Sequence, residues 1–240
     1  MLPLAGERRR HSHYHEGYAH MMNKDYILRI AERFGRALAI ILQLRKSNQF
    51  EESLIYIDDV FLQTTGFTAS FVNSASEEML LQLISPLGIL NVQKCAWIAL
   101  LLKEEGDIYV DMGNEDESYF RYLKSLHFFL EVAKHADEAR DIDVASAIEY
   151  DLQELEAFDL PQETYSRLSG YFDAAGQYTR ASDMLNEAVN KAEGPVDPKI
   201  IEQGKAFYKR LRGRSEEDLR MNGFSKREVE EGLEKLEKKN

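Results

Sequence analysis

The chain reads as an all-α protein, and three observations predict it. From Asn23 onward apolar residues recur at three- and four-residue steps, the period of one helix face. Gly and Pro number 14 and 5 among 240 residues, too few for a chain of many short strands and turns. No stretch alternates apolar and polar residues as a half-buried strand would. With 44% apolar and 30% charged residues the composition fits a soluble globular protein. The length suits one large helical domain or two small ones.

In "NKDYILRIAERFGRALAIILQLRK" the residues Ile27, Ile30, Phe34, Leu38, Ile41 and Leu44 form one stripe, widened by Ile40 and Leu42. This predicts a helix over 23–46 contacted on two sides. Gly35 in its middle costs about 1 kcal/mol against Ala, and the expected compensation is a closely packed neighbour. "SNQ" at 47–49 breaks the helix. A second follows in "FEESLIYIDDVFLQ", with Phe50, Leu54, Ile57, Val60 and Phe61 on one face. Residues 66–90 suggest two short helices, with Ser74 and Glu77 as a capping box and "SPLG" as a stop.

A long apolar helix is expected over 91–112, ending at Gly113, and another from Ser118 to His135. "DIDVASAIEYDLQELEAF" is amphipathic through Ile142, Ala145, Ile148, Leu152 and Leu155. Pro161 suits a first helical turn and opens a pair over 161–175 and 178–193. "EGPVDP" at 193–198 is the clearest linker. A helix near 199–212 and two shorter ones complete the chain.

A repeat lies within this pattern. In "YSRLSGYFDAAGQYTRASDMLNEAV" the residues Tyr165, Leu168, Phe172, Gly176, Tyr178, Ala181, Leu185 and Ala188 resemble the tetratricopeptide repeat, with Ser169 where that family prefers Gly. The same register fits Leu102, Gly106, Tyr109, Gly113, Ser118, Tyr122 and Ser125, while Glu105 and Glu115 depart from it. A third match runs through Phe50, Ser53, Ile57 and Val60. The turn positions Asn48, Gly113 and Gly176 lie 65 and 63 residues apart, so the hairpins are separated by other helices. The segment from Met21 through Lys46, with the helical body after it, also resembles a small uncharacterised family of tetratricopeptide-like proteins from Gram-positive bacteria. That resemblance adds no chemistry.

The resemblance implies antiparallel helical hairpins stacked as a short right-handed solenoid, occupying 21–194, with the C-terminal helices of 199–240 packed on it or extending it. It also implies a concave groove for a peptide or partner protein, lined by the first helix of each pair. The groove positions carried over are Arg45 and Lys46, then Lys103, Asp107 and Asp111, then Ser166, Arg167 and Asp173. Their mixed charges do not reproduce the Lys/Asn clamp that chaperone-binding members use for a C-terminal carboxylate, which leaves the ligand class open. The expected function is a non-enzymatic interaction scaffold. The first alternative is a structural homo-oligomer, a homodimer for instance, whose groove is filled by its own C-terminal helices.

The second alternative is a metal-dependent enzyme. His127, Glu131 and His135 stand at i, i+4 and i+8 on one helix stripe. The outer pair is separated by about 12 Å along a helix, too far for one ion, so only a half-site of Glu131 and His135 survives. The simpler reading is a helix-flank ion pair. No phosphate loop, GxSxG or HExxH occurs, and no metal or other cofactor is expected.

Net charge is −12, a field that repels phosphate, so no nucleic-acid partner is expected. The basic "KAFYKRLRGR", with Lys205, Lys209, Arg210, Arg212 and Arg214, reads as cations complementing a helix C-terminus. The longest apolar run, "CAWIALLL", falls well short of the roughly 18 residues of a membrane span. Cys95 is the single cysteine; it reads as a buried structural thiol, and a reducing cytoplasm is the expected compartment.

The start of the chain is different in kind. "HSHYHEGYAHMM" holds His11, His13, His15 and His20, four of the six histidines, without helical periodicity. The codons of Glu16 and Gly17 must contain AGG, three codons upstream of Met21, where a bacterial ribosome-binding site belongs. Residues 1–20 are therefore expected to be translated leader. A disordered native tail or a metal site is the alternative.

Overall fold

The computed structural model describes residues 32–140, 142–192 and 194–238. Among these every regular element is helical. The first helix, α1, covers 32–46, and it is followed by α2 (Phe50–Thr65), α3 (Ala69–Ser74) and α4 (Glu77–Leu83). A 3₁₀ turn at Pro86–Gly88 leads to α5 (Val92–Asp111) and α6 (Glu115–Ala133). Then come α7 (Val144–Glu154), α8 (Gln162–Ala174), α9 (Tyr178–Asn190), α10 (Pro198–Arg212), α11 (Glu216–Met221) and α12 (Lys226–Glu237). The first residues of the expected helix over 23–46 and the histidines of the N-terminus lie outside the described residues.

Local chemistry sets the helix starts. Thr68, Ser76, Asn91, Asp197, Ser215 and Ser225 each cap a helix by accepting from a backbone N–H of its first turn. The capping box expected at Ser74 is displaced. Ser76 caps α4, while the Ser74 hydroxyl donates back to the Ser70 and Phe71 carbonyls. Both serines precede the acidic "EE", and position within the turn decides which one caps. The helix expected from Ser118 begins three residues earlier, at Glu115, with Glu115, Asp116 and Glu117 at its positive end.

Three connections share one conformation. Asn48, Gly113 and Gly176 have φ of 56°, 71° and 74°. In each, the next residue's N–H donates five residues back: Gln49 to Leu44 (2.9 Å), Asn114 to Tyr109 (2.8 Å) and Gln177 to Phe172 (2.8 Å). This pattern is a Schellman ending, which needs the left-handed region that Gly and Asn enter most readily. Gly223 repeats it, with φ 70° and Phe224 donating to Leu219 at 2.9 Å. Counting from the turn residue, positions five, nine and twelve onward are buried in all three: Ser53, Ile57, Val60; Ser118, Tyr122, Ser125; Ala181, Leu185, Ala188.

The chain divides into two compact units, and the division falls inside α6. The first unit runs to Arg121 and includes 137–143; the second holds 122–136 and 144–240. In the first, α2 packs against α3 and α5, burying Ile57, Val60 and Phe61 with Cys95, Ile98 and Leu102. Cys95, the single cysteine of the chain, is a fully buried thiol. Phe34 of α1 meets Trp97 edge-on at 5.2 Å between centroids. The neighbour expected over Gly35 is missing, since no described residue would come within 4 Å of a Cβ there.

In the second unit α8 and α9 form an antiparallel hairpin, and α10 packs on α9 and α12. Ser169, the departure from Gly in the repeat pattern, is buried and donates to the Ala181 carbonyl of the facing helix at 2.8 Å. The small side chain is kept and its one polar group is satisfied. Gly232 of α12 lies against the Tyr208 ring so closely that a Cβ would collide with it. The Tyr208 hydroxyl shares a 2.9 Å hydrogen bond with Ser182 of α9. Phe207 packs with Tyr178, Tyr208 and Phe224 to close this corner.

Candidate functional site

Three acidic side chains, Glu104, Glu105 and Asp107, are buried in mid-α5. A buried carboxylate is costly unless it is paired, so the partners of these three define what the helix does. They form two groups on the first unit.

The first group joins α1 to α5. Arg45 Nη1 donates to Asp107 Oδ2 at 2.9 Å and Arg45 Nε to Asp111 Oδ2 at 2.8 Å. Lys103 Nζ donates to Asp107 Oδ2 (3.2 Å) and Glu104 Oε1 (3.3 Å). Glu104 Oε2 is buried without a hydrogen bond and lies 3.9 Å from Arg45 Nη1. Burial pushes the Glu104 carboxyl above the ordinary range, against the pull of Lys103. For Lys103 burial works against the charge, yet Glu104 and Asp107 outweigh it and the ammonium is held above its usual value. Four of the expected groove residues, Arg45, Lys103, Asp107 and Asp111, are thus brought together, and they bind one another. Lys46 is exposed beside them, in a smaller cleft of about 400 Å³ shared with Arg45, Leu42, Asn48, Phe50 and Asp111.

The second group lies in a larger open cleft of about 790 Å³ between α2, α3, α5 and the start of α6. Glu105 lines it and is only 3% exposed. Its Oε2 accepts from Arg121 Nε at 3.0 Å and from Asn73 Nδ2 at 3.0 Å. Arg121 also pairs with Glu117 at 2.8 Å and lies over the Tyr109 ring at 5.2 Å from its centroid. Burial pushes the Glu105 carboxyl up, and Arg121 and Asn73 only partly offset this. Asp58 and Asp59 of α2 complete the polar wall. Asp58 Oδ1 accepts from the Ala69 N–H and so helps to start α3. Ile55, 65% exposed, and Leu54 line the same cleft.

The remaining expected groove residues sit on α8 in the second unit, on faces met by other side chains. Ser166 donates to Gln203 of α10 at 2.8 Å, and Asp173 pairs with Arg210 of α10. Arg167 pairs with Glu163 one turn away. Arg212 pairs with Glu230 and Arg214 with Asp218, so three of the five basic residues of 205–214 have acidic partners.

The histidine stripe separates likewise. His127 Nε2 shares a 2.8 Å hydrogen bond with Thr164, and Glu131 pairs with Lys134. Among the described residues no three His, Cys, Asp or Glu side chains gather to hold a metal. Sequence reasoning marked Glu105 as a departure from the repeat but not as part of a site. Asp58, Asp59, Asn73 and Arg121 carried no signal, because only folding brings α2, α3 and α6 to Glu105.

The described residues thus make an all-α protein, and none of its described helices is long and apolar enough to cross a membrane. The chain belongs to a family of unknown function (DUF6483), whose model matches residues 21–240. No curated protein and no solved structure matches it.

Proposed function

We propose that this chain is a non-enzymatic scaffold of tetratricopeptide-like helical hairpins that binds a peptide or a segment of a partner protein. The cleft over Glu105 carries this reading. It is concave and combines exposed apolar side chains with polar groups already held in place by Arg121 and Asn73, the composition of a recognition site. The hairpin reading is supported by the three equivalent turns and by the small and apolar residues buried at equivalent positions after them. On α8 the expected groove residues Ser166 and Asp173 engage α10, so the first unit is the place to look for a ligand.

The test is selection of peptides from a random display library on the full chain, followed by mapping of amide chemical shifts. The expected perturbations fall on α2, α3 and the Glu105 to Tyr109 stretch of α5, and Ile55→Glu abolishes binding. Selected peptides that perturb only the second unit, or a library that yields none, overturn the proposal.

A further inference from the structure

We infer that the cleft of the first unit takes a basic peptide, seating a Lys or Arg side chain against Glu105 and Asp59 and an adjacent apolar residue on Ile55. This rests on the peptide-binding reading above and names its ligand. The Arg121 Nε and the Asn73 amide both donate to Glu105 Oε2, and Arg121 spends a further donor on Glu117. Among the described residues no donor reaches Glu105 Oε1, although the residue is 3% exposed and lines the cleft. Asp59, exposed on the same wall, has no ion-pair partner among the described residues. Glu105 Oε1 is not one of the buried oxygens left without a partner, so it opens to the cleft, where a ligand N–H can take the place of water and make a charge-assisted hydrogen bond.

Charge favours the same ligand. Four carboxylates of the cleft, Asp58, Asp59, Glu105 and Glu117, face the single guanidinium of Arg121. Low-dielectric walls focus that excess, and the chain's net charge of −12 steers cations toward it. An acidic or phosphorylated ligand meets the opposite field. Among cations, the surroundings favour a peptide. The described residues offer no cluster of three metal ligands. Ile55, 65% exposed, and Leu54 place apolar surface beside the charges. Such a site rewards a ligand that carries an apolar side chain next to its cation.

The experiment uses the full chain and fluorescence anisotropy with short labelled peptides. One has a central Lys between leucines; two others replace that Lys with Glu or with norleucine. Spermidine is the unlabelled competitor. The Lys peptide is expected to bind and to weaken as salt rises. Asp59→Asn and Glu105→Gln each lower its affinity about tenfold, the loss of one charged contact, with unchanged circular dichroism. Ile55→Ser weakens the Lys peptide as well but keeps the preference for Lys over Glu. If Glu105→Gln does not fold, the exposed Asp59→Asn carries the test.

Equal binding of the Glu or norleucine peptide overturns the basic ligand and leaves the scaffold reading intact. Spermidine that displaces the peptide equally from wild type and Ile55→Ser overturns the peptide in favour of a small polyamine. Binding of none of these, together with an empty display selection, overturns both this inference and the peptide-binding reading.

Discussion

Leu168 and Glu105 occupy equivalent positions on α8 and α5, eight residues before a turn glycine in the left-handed region. In the α8–α9 hairpin the position is apolar and fully buried, and Phe172 one turn later is buried too. In α5 the equivalent side chain is a carboxylate, equally shielded, tied to Arg121 and Asn73 and open to a cleft. One helix follows the rule for packing helices; the other breaks it where the surface becomes concave. A buried charge adds little net stability compared with an apolar group of the same volume. The deviation in α5 therefore makes sense as part of a site, whereas conformity in α8–α9 makes sense as structure.

Arg121→Met leaves Glu105 shielded beside Asn73 alone and should cost about 3–5 kcal/mol, as removing one partner of a buried pair does. Adding Glu105→Leu to that variant restores the pattern of α8 and should recover most of the loss. Urea unfolding of the single and double variants checks this; a double variant no better than Arg121→Met would show that Glu105 is not the burdened partner. On the conforming side Leu168→Ala should cost about 3 kcal/mol, a transfer loss plus a cavity. A change below about 1 kcal/mol would deny that this position is a tightly packed core site.

Acidity sharpens the same contrast. Burial holds the Glu104 and Glu105 carboxyls above the ordinary glutamate value. The folded chain then binds more protons than the unfolded one between about pH 4.3 and the raised values. The stability these groups contribute is present in full below that window and is lost as pH rises through it. Wild type should therefore gain on Glu105→Gln as pH falls from about 7 to 5, read as a difference in urea midpoints. A difference independent of pH would contradict a burial-dominated carboxyl. Leu168→Ala should show no such pH dependence. The smallest effect expected is at Gly35. It is exposed in α1 with no described neighbour, so Gly35→Ala should stabilise by about 0.5–1 kcal/mol. A thermal midpoint that falls instead would reveal a contact that requires the glycine.

What was legible in the sequence was local. Helical periodicity depends on residues three and four apart, and it showed in every major element, with starts shifted by a few residues, as at Glu115. Asn48, Gly113 and Gly176 could be picked out because a left-handed turn residue restricts side-chain type on the spot, and all three have positive φ. Neighbour-dependent expectations fared differently. Packing over Gly35 is absent among the described residues, and a cap moved from Ser74 to Ser76.

The groove residues show the same boundary. Sequence placed Arg45, Lys103, Asp107 and Asp111 on helix faces, but a face does not name its partner, and folding turned these charges onto one another. The meeting of Glu105 with Asn73, 32 residues away, and with Arg121, 16 away, was decided only by tertiary structure. Helix class follows from short-range sterics and hydrogen bonding written residue by residue. A cleft needs distant helices to stop at a particular separation, and that is set by how the whole core packs.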